Sequence, residues 1–234
     1  MVFQTNEFGV VVSTESADVN TDVKLSQVIK NKMGGESVYL NRSDGGKMLF
    51  QANKFTLPFS LNSYLAPDAP EGTAPKLSLE CSFKNMDNDK KLKSFHEFLD
   101  ALDEKVITAA SETLLGQKKS REVVEELFKR TIKRNEKYAS QIKVNINPNT
   151  KLYNSRKEEI EINEDNLPKG CEVDVIVNVG SVYMIAKRNI GISVRAEQIR
   201  VRNSGSQQKL TAYAFDDSGS DGEQEGECEL DDFE

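Results

Sequence analysis

At 234 residues, 37% hydrophobic and 29% charged, the chain has the length of one globular domain with decorations and enough apolar content to fold over most of it. No run approaches the roughly 18 apolar residues of a membrane span, and Met1 to Glu7 lack the basic and apolar regions of a secretory signal, which predicts a soluble intracellular protein with no membrane partner. The net charge of −7 argues against a polyanionic ligand only until its distribution is read: residues 215–234 hold ten acids and no lysine or arginine, and removing them from the total leaves +3 on residues 1–214.

Residues 1–36 have mixed polarity and weak periodicity, and are expected to be largely irregular. Ser37-Val38-Tyr39-Leu40 and Lys47 to Ala52 flank Arg42-Ser43-Asp44-Gly45-Gly46, whose glycines suit the positive φ of a tight turn, so a hairpin is expected. Pro58, Pro67, Pro70 and Pro75 mark a loop-rich stretch, after which Leu77, Leu79, Cys81 and Phe83 alternate with polar neighbours as in a half-buried strand.

The middle of the chain reads as helical. Behind Asn88 or Asp89 as N-cap, Leu92, Phe95, Leu99, Leu102 and Val106 form one apolar stripe. A second helix is expected from about Ser120, with Val124, Leu127, Phe128 and Ile132 on one face and Lys129, Arg130, Lys133 and Arg134 on a solvated one. Strand periodicity returns at Ile142, Val144 and Ile146, at Lys151-Leu152-Tyr153, and, after a polar insertion, at Val173, Val175, Val177 and Val179. Short strands around one helical insertion, without room for repeated βαβ units, predict a mainly β fold: an OB-type Greek-key β-barrel over residues 1–214, with the helical insertion at about 88–138. The acidic, glycine-laced segment 215–234 cannot bury enough surface to offset its ordering entropy and is expected to be a disordered tail.

The segment from Val182 to Arg202 carries Lys187, Arg188, Arg195, Arg200 and Arg202 against a single Glu197. Alternation places Tyr183 and Lys187 on the face opposite Val182 and Met184. Apolar positions change parity between Val194 and Ile199, so one extra residue near Glu197 or Gln198, a β-bulge, puts Arg195, Arg200 and Arg202 together on the outer face. A tyrosine among cations offers stacking to unpaired bases and charge to phosphates, and neither contact reads sequence. Tyr153 with Lys151, Tyr39 with Arg42, and Lys47 with Lys54 could extend the same groove, whereas Phe50, Phe83, Phe95 and Phe128 read as core. No feature reads a 2′-hydroxyl, so single-stranded RNA shares the expectation.

Tyr183, Lys187, Gly191-Ile192-Ser193, Gln198-Ile199-Arg200-Val201 and the acidic terminus with Phe233 together resemble the single-stranded DNA-binding proteins typified by bacteriophage T7 and found in related form in large DNA viruses of eukaryotes. The resemblance covers the last third of the chain. It implies an OB fold, coating of exposed strands during DNA replication, recombination and repair, homodimers, and location at the host nucleus or a viral replication factory. It also implies a tail, here Phe215, Asp231, Asp232, Phe233 and Glu234, that competes with DNA and contacts the replicative DNA polymerase and helicase/primase. The chain departs from the pattern in ending Phe233-Glu234, in lacking Trp, and in a large helical region.

Catalysis is not expected, nor a cofactor or metal. His96 is the only histidine, lying between Phe95 and Phe98 on an amphipathic stripe, which restricts Ser-His-Asp, Cys-His and His-based zinc schemes. Cys81, Cys171 and Cys228 are odd in number and widely spaced, as buried or solitary thiols are. An acid-only, magnesium-dependent nuclease is the one enzymatic scheme the inventory permits. The competing class is an acidic-tailed protein-interaction or histone-chaperone-like module. Ser218 and Ser220 each precede an acid by three residues, so phosphorylation there would add to the tail's charge.

Overall fold

In the computed structural model, residues 3–30, 35–115, 118–186 and 188–203 are described. Five strands form the centre: β1 (Leu49–Thr56), β2 (Lys76–Ser82), β3 (Gln141–Tyr153), β4 (Glu172–Ile185) and β5 (Asn189–Asn203). They hydrogen-bond in the order β1-β2-β3-β5-β4, and β4 returns to β1 through pairs such as Val177 with Phe50, which closes the barrel. β3 and β5 run parallel, whereas the other neighbours in the ring are antiparallel. This is OB topology, a Greek-key barrel with a helical addition.

Alternation drives the closure. Val173, Val175, Val177 and Val179 of β4 face inward with Ile190, Val194, Ala196, Ile199 and Val201 of β5, all buried. The parity change in β5 falls where expected: Val177 pairs with Ala196 and Ile176 with Gln198, which leaves Glu197 as the extra residue of a bulge. Bending at that bulge lets one long strand keep its apolar side inside a narrow barrel.

Between β2 and β3, α1 (Lys90–Ala109) covers the barrel. The Asp89 carboxylate caps it, accepting from the Lys91 and Leu92 backbone N–H groups at 3.1 Å each. The expected stripe from Leu92 to Val106 is buried, and Phe95 and Phe98 bring their rings within 5.5 and 4.9 Å of Phe50 on β1. His96 is part of this packing: it meets the Phe83 ring edge-on at 4.8 Å and its Nε2 lies 3.1 Å from Ser140 Oγ. Burial lowers its pKa, against the opposing pull of the Asp100 carboxylate 3.5 Å from Nδ1.

Three local expectations are corrected. The stretches 37–40 and 47–52 do not form a hairpin ladder. The Arg42–Gly46 turn is present, with Gly45 at φ 85°, but only Asn41 and Lys47 pair across it. The strand Glu36–Arg42 instead pairs with the Ser181–Met184 end of β4 and β1 with its Glu172–Asn178 end, because one 14-residue strand offers both segments more backbone partners than they offer each other. The second helix, α2 (Arg121–Leu127), stops before Phe128. Phe128–Lys129 joins β5 in parallel and Ile132–Lys133 joins β3, so sheet pairing outcompetes continuation of the helix. Finally, the first 36 residues are not uniformly irregular: Val11 pairs with Phe50, and Val23–Leu25 and Ile29–Lys30 pair with the Glu36–Arg42 strand.

Candidate nucleic-acid interface

Register across β3, β5, β4 and the flanking strands sorts the outward side chains into rows. The first row runs Lys129, Gly191, Tyr183, Ser37. Below it, Ser193 and Ser181 lead to Tyr39, and then Asn145, Arg195, Asn178 and Leu49 follow. The last two rows are Lys151, Gln198, Ile176, Gln51 and then Tyr153, Arg200, Asp174. Tyr183, Tyr39, Tyr153, Arg195, Arg200 and Lys151 therefore share one outer surface, drawn from strands far apart in sequence.

At the upper end Tyr183 lies on Gly191. A Cβ at position 191 would stand 2.5 Å from the phenolic oxygen and 2.7 Å from Cζ, so only glycine leaves room for the ring in this place. The ring is half-buried, and burial raises its pKa, which keeps the phenol protonated at neutral pH. Its cleft is bordered by Lys129, Lys133, Lys143, Asn145 and Ser193. Next to it, Tyr39, 51% exposed, borders a second cleft with Lys47, Asn178 and Arg195. Phe8, 77% exposed, adds an aromatic beside Lys47 and Gln198.

The cations divide by what holds them. Lys47, Lys129, Lys143, Arg188 and Arg195 make no salt bridge among the described residues. Their charge is available to a ligand. Arg200 and Arg202 are instead both bonded to the Asp174 carboxylate, whose side chain is 6% exposed and which also accepts from the Lys54 backbone N–H at 3.0 Å. Burial raises the Asp174 pKa, but bonds from Arg202 and Arg200 outweigh it and hold the carboxyl below its ordinary range. Lys151 is paired with Glu159 at 2.8 Å, and the Lys54 ammonium lies 3.3 Å from Asp89, committed to the start of α1 and away from these clefts. The expectation that Lys47 and Lys54 extend one groove is corrected accordingly: Lys54 lies toward the far end of β1, whereas Lys47 precedes that strand beside the Tyr39 cleft.

Arg188 stands at the β4–β5 turn, exposed. Lys187 and the tail residues Phe215, Asp231, Asp232, Phe233 and Glu234 lie outside the described residues. The reading of residues 129–134 as a helix face had hidden Lys129, which the parallel bridge brings beside Gly191. Arg130 and Arg134 turn to Glu104 and Asp100 of α1, and Lys133 to Glu80 at 2.7 Å. Lys143 was legible as the outward residue between Ile142 and Val144, although no local charge cluster marked it.

An OB-topology barrel with an aromatic, cationic outer face is the class that fold and surface define. A family model described as a family of unknown function (DUF5871) matches residues 81–217, and the chain belongs to that family. No curated protein matches the sequence. Among solved structures, the chain is similar to the single-stranded DNA-binding protein from bacteriophage Enc34 in complex with ssDNA, at 15% identity over 77% of this chain and 96% of that one, with a TM-score of 0.45. It is also similar to gp2.5, a single-stranded DNA-binding protein encoded by bacteriophage T7, at 12% identity over 72% of this chain and 99% of that one, with a TM-score of 0.40.

Proposed function

We propose that the chain binds single-stranded DNA without strong base preference, along the outer face that runs from Tyr183 to Tyr153. The observation that carries this reading is the alignment of Tyr183, seated on Gly191, with Lys129, Lys143 and Arg195, which make no salt bridge among the described residues. Only unpaired bases expose their flat faces for stacking, and cations without protein partners exchange condensed counterions for phosphate at little internal cost. Both contacts ignore base identity.

In this reading the protein coats strands exposed in DNA replication, recombination and repair, at the host nucleus or a viral replication factory, and pairs as a homodimer. That follows the resemblance of residues 183–201 and the acidic terminus to the bacteriophage T7 type and its relatives in large eukaryotic DNA viruses. The segment 215–234 competes for the same cations and recruits the replicative polymerase and helicase/primase. Its ten acids and penultimate Phe233, set against a body of +3, support this role.

The test is a fluorescence titration with labelled dT and dA oligonucleotides and with duplex DNA at two salt concentrations. Single strands are expected to bind in preference to duplex, with little difference between dT and dA. Arg195→Ala and Lys143→Ala should each reduce the slope of log K against log salt by about 0.7, the contribution of one phosphate contact on a single strand. Equal binding of duplex, or slopes unchanged in both variants, overturns the proposal.

A second measurement addresses the tail. Residues 1–214 should bind the dT oligonucleotide more tightly than the full chain at low salt, with the gap closing as salt screens the competing charges. A histone-chaperone-like module would show no such gain and would lose histone binding on truncation.

A further inference from the structure

At the lower end of the same face, Tyr153 of β3, Ile176 of β4, Gln198 and Arg200 of β5 and Gln51 of β1 enclose a cleft that Lys157, from the connection after β3, completes. Ile176 supplies an apolar floor, Tyr153 a ring at the edge, the glutamines amides, and Arg200 with Lys157 positive charge. Beneath Arg200 lies Asp174. Its Oδ2 accepts from Arg200 Nε at 3.0 Å and from Arg200 Nη2, while Oδ1 takes Arg202 and the Lys54 N–H.

A nearly buried carboxylate under a surface meant for phosphate demands an explanation, since ion pairs of this kind add little net stability and an anion there repels the ligand. Position supplies one. Arg200 remains 42% exposed while two of its nitrogens are held from below, so its free edge is aimed outward in one geometry and loses little rotamer freedom when it meets an anion.

We propose that this cleft is a single-nucleotide station of the bound strand, in which one base lies on Tyr153 and Ile176, its phosphate meets Arg200 and Lys157, and Asp174 is the positioning residue that aims Arg200. The inference rests on the single-strand reading above and adds a subsite and a reason for its buried anion.

The discriminating experiment is Asp174→Asn in the full chain, titrated with a labelled dT oligonucleotide. Asparagine keeps the shape and can still accept from the Lys54 N–H. If Asp174 merely neutralises charge, removing an anion beside a polyanion site raises affinity and steepens the salt dependence. As a positioning residue, its loss should weaken binding about fivefold or more despite the added positive charge. Circular dichroism and a thermal melt establish whether the variant folds. If it does not, Tyr153→Ala combined with Lys157→Ala carries the test, with about a tenfold loss expected.

A folded Asp174→Asn that binds as tightly as the parent or tighter overturns the station, and so does an unchanged affinity in the Tyr153 and Lys157 double variant. Arg195→Ala separates the two levels: a loss there with none at Asp174, Tyr153 and Lys157 removes the station alone, whereas no loss anywhere removes the single-strand reading with it.

Discussion

Tyr183→Ala is expected to lower affinity for a dT oligonucleotide by roughly 5- to 150-fold, the range that corresponds to loss of one stacked base at about 1 to 3 kcal/mol. Tyr183→Phe should stay within about threefold of the parent, because the ring does the stacking and the hydroxyl has no hydrogen-bond partner among the described residues to lose. Gly191→Val provides the independent check. Its new Cβ would meet the Tyr183 ring at 2.5 to 3.1 Å, so the ring must leave its seat, while valine suits an extended backbone. Binding should fall nearly as far as in Tyr183→Ala with the circular dichroism spectrum retained. A Gly191→Val protein that folds and binds like the parent would show that the seat is irrelevant to recognition.

The second large effect is on stability. Phe50→Ala is expected to cost about 3 to 5 kcal/mol, the usual penalty for removing a buried phenyl group and leaving its cavity. Phe50 is 1% exposed and touches the rings of Phe3, Phe95 and Phe98, with centroids 5.7, 5.5 and 4.9 Å away. It therefore joins barrel to helix. Urea denaturation would read the loss as a lower midpoint, and a shift worth less than about 1 kcal/mol would mean that α1 is anchored elsewhere.

That anchorage reaches the interface. Asp103, buried on α1, accepts from the Thr131 backbone N–H at 2.8 Å and from its hydroxyl at 2.6 Å. Thr131 lies between the two short strands that hold Lys129 next to Gly191 and Lys133 next to Gln141. The helical addition thus braces the cationic wall of the Tyr183 cleft. Burial pushes the Asp103 pKa up to about 6, a cost that the two Thr131 bonds oppose.

Much of the architecture was legible locally. Period-2 alternation identified the inward valines of β4, and a parity change in β5 called for a bulge near Glu197 or Gln198, which the pairing with β4 fixes at Glu197. The stripe from Leu92 to Val106 behind a cap at Asn88 or Asp89 defined α1, and the structure selects Asp89. Reading failed where two partners competed for one segment. Residues 37–52 contain the chemistry of a hairpin, but β4, more than a hundred positions away, binds both halves. Phe128 and Ile132 fit a helical face as well as a strand, and the barrel edges decided between them.

By itself the sequence determined the side to which each strand residue points, the helix face that is buried, and the separation of a positive body from a negative end, because all three follow from spacing along the chain. Only the tertiary structure decided which cations are free. Parity placed Arg195, Arg200 and Arg202 on one face alike, yet Asp174 holds two of them and leaves the third, and Lys143 and Lys129 join it from elsewhere. Charge pairing is governed by distance in space at a few ångströms, and residues 26 or 53 positions apart, as Arg200 is from Asp174 and Lys133 from Glu80, become neighbours only when the strands assemble.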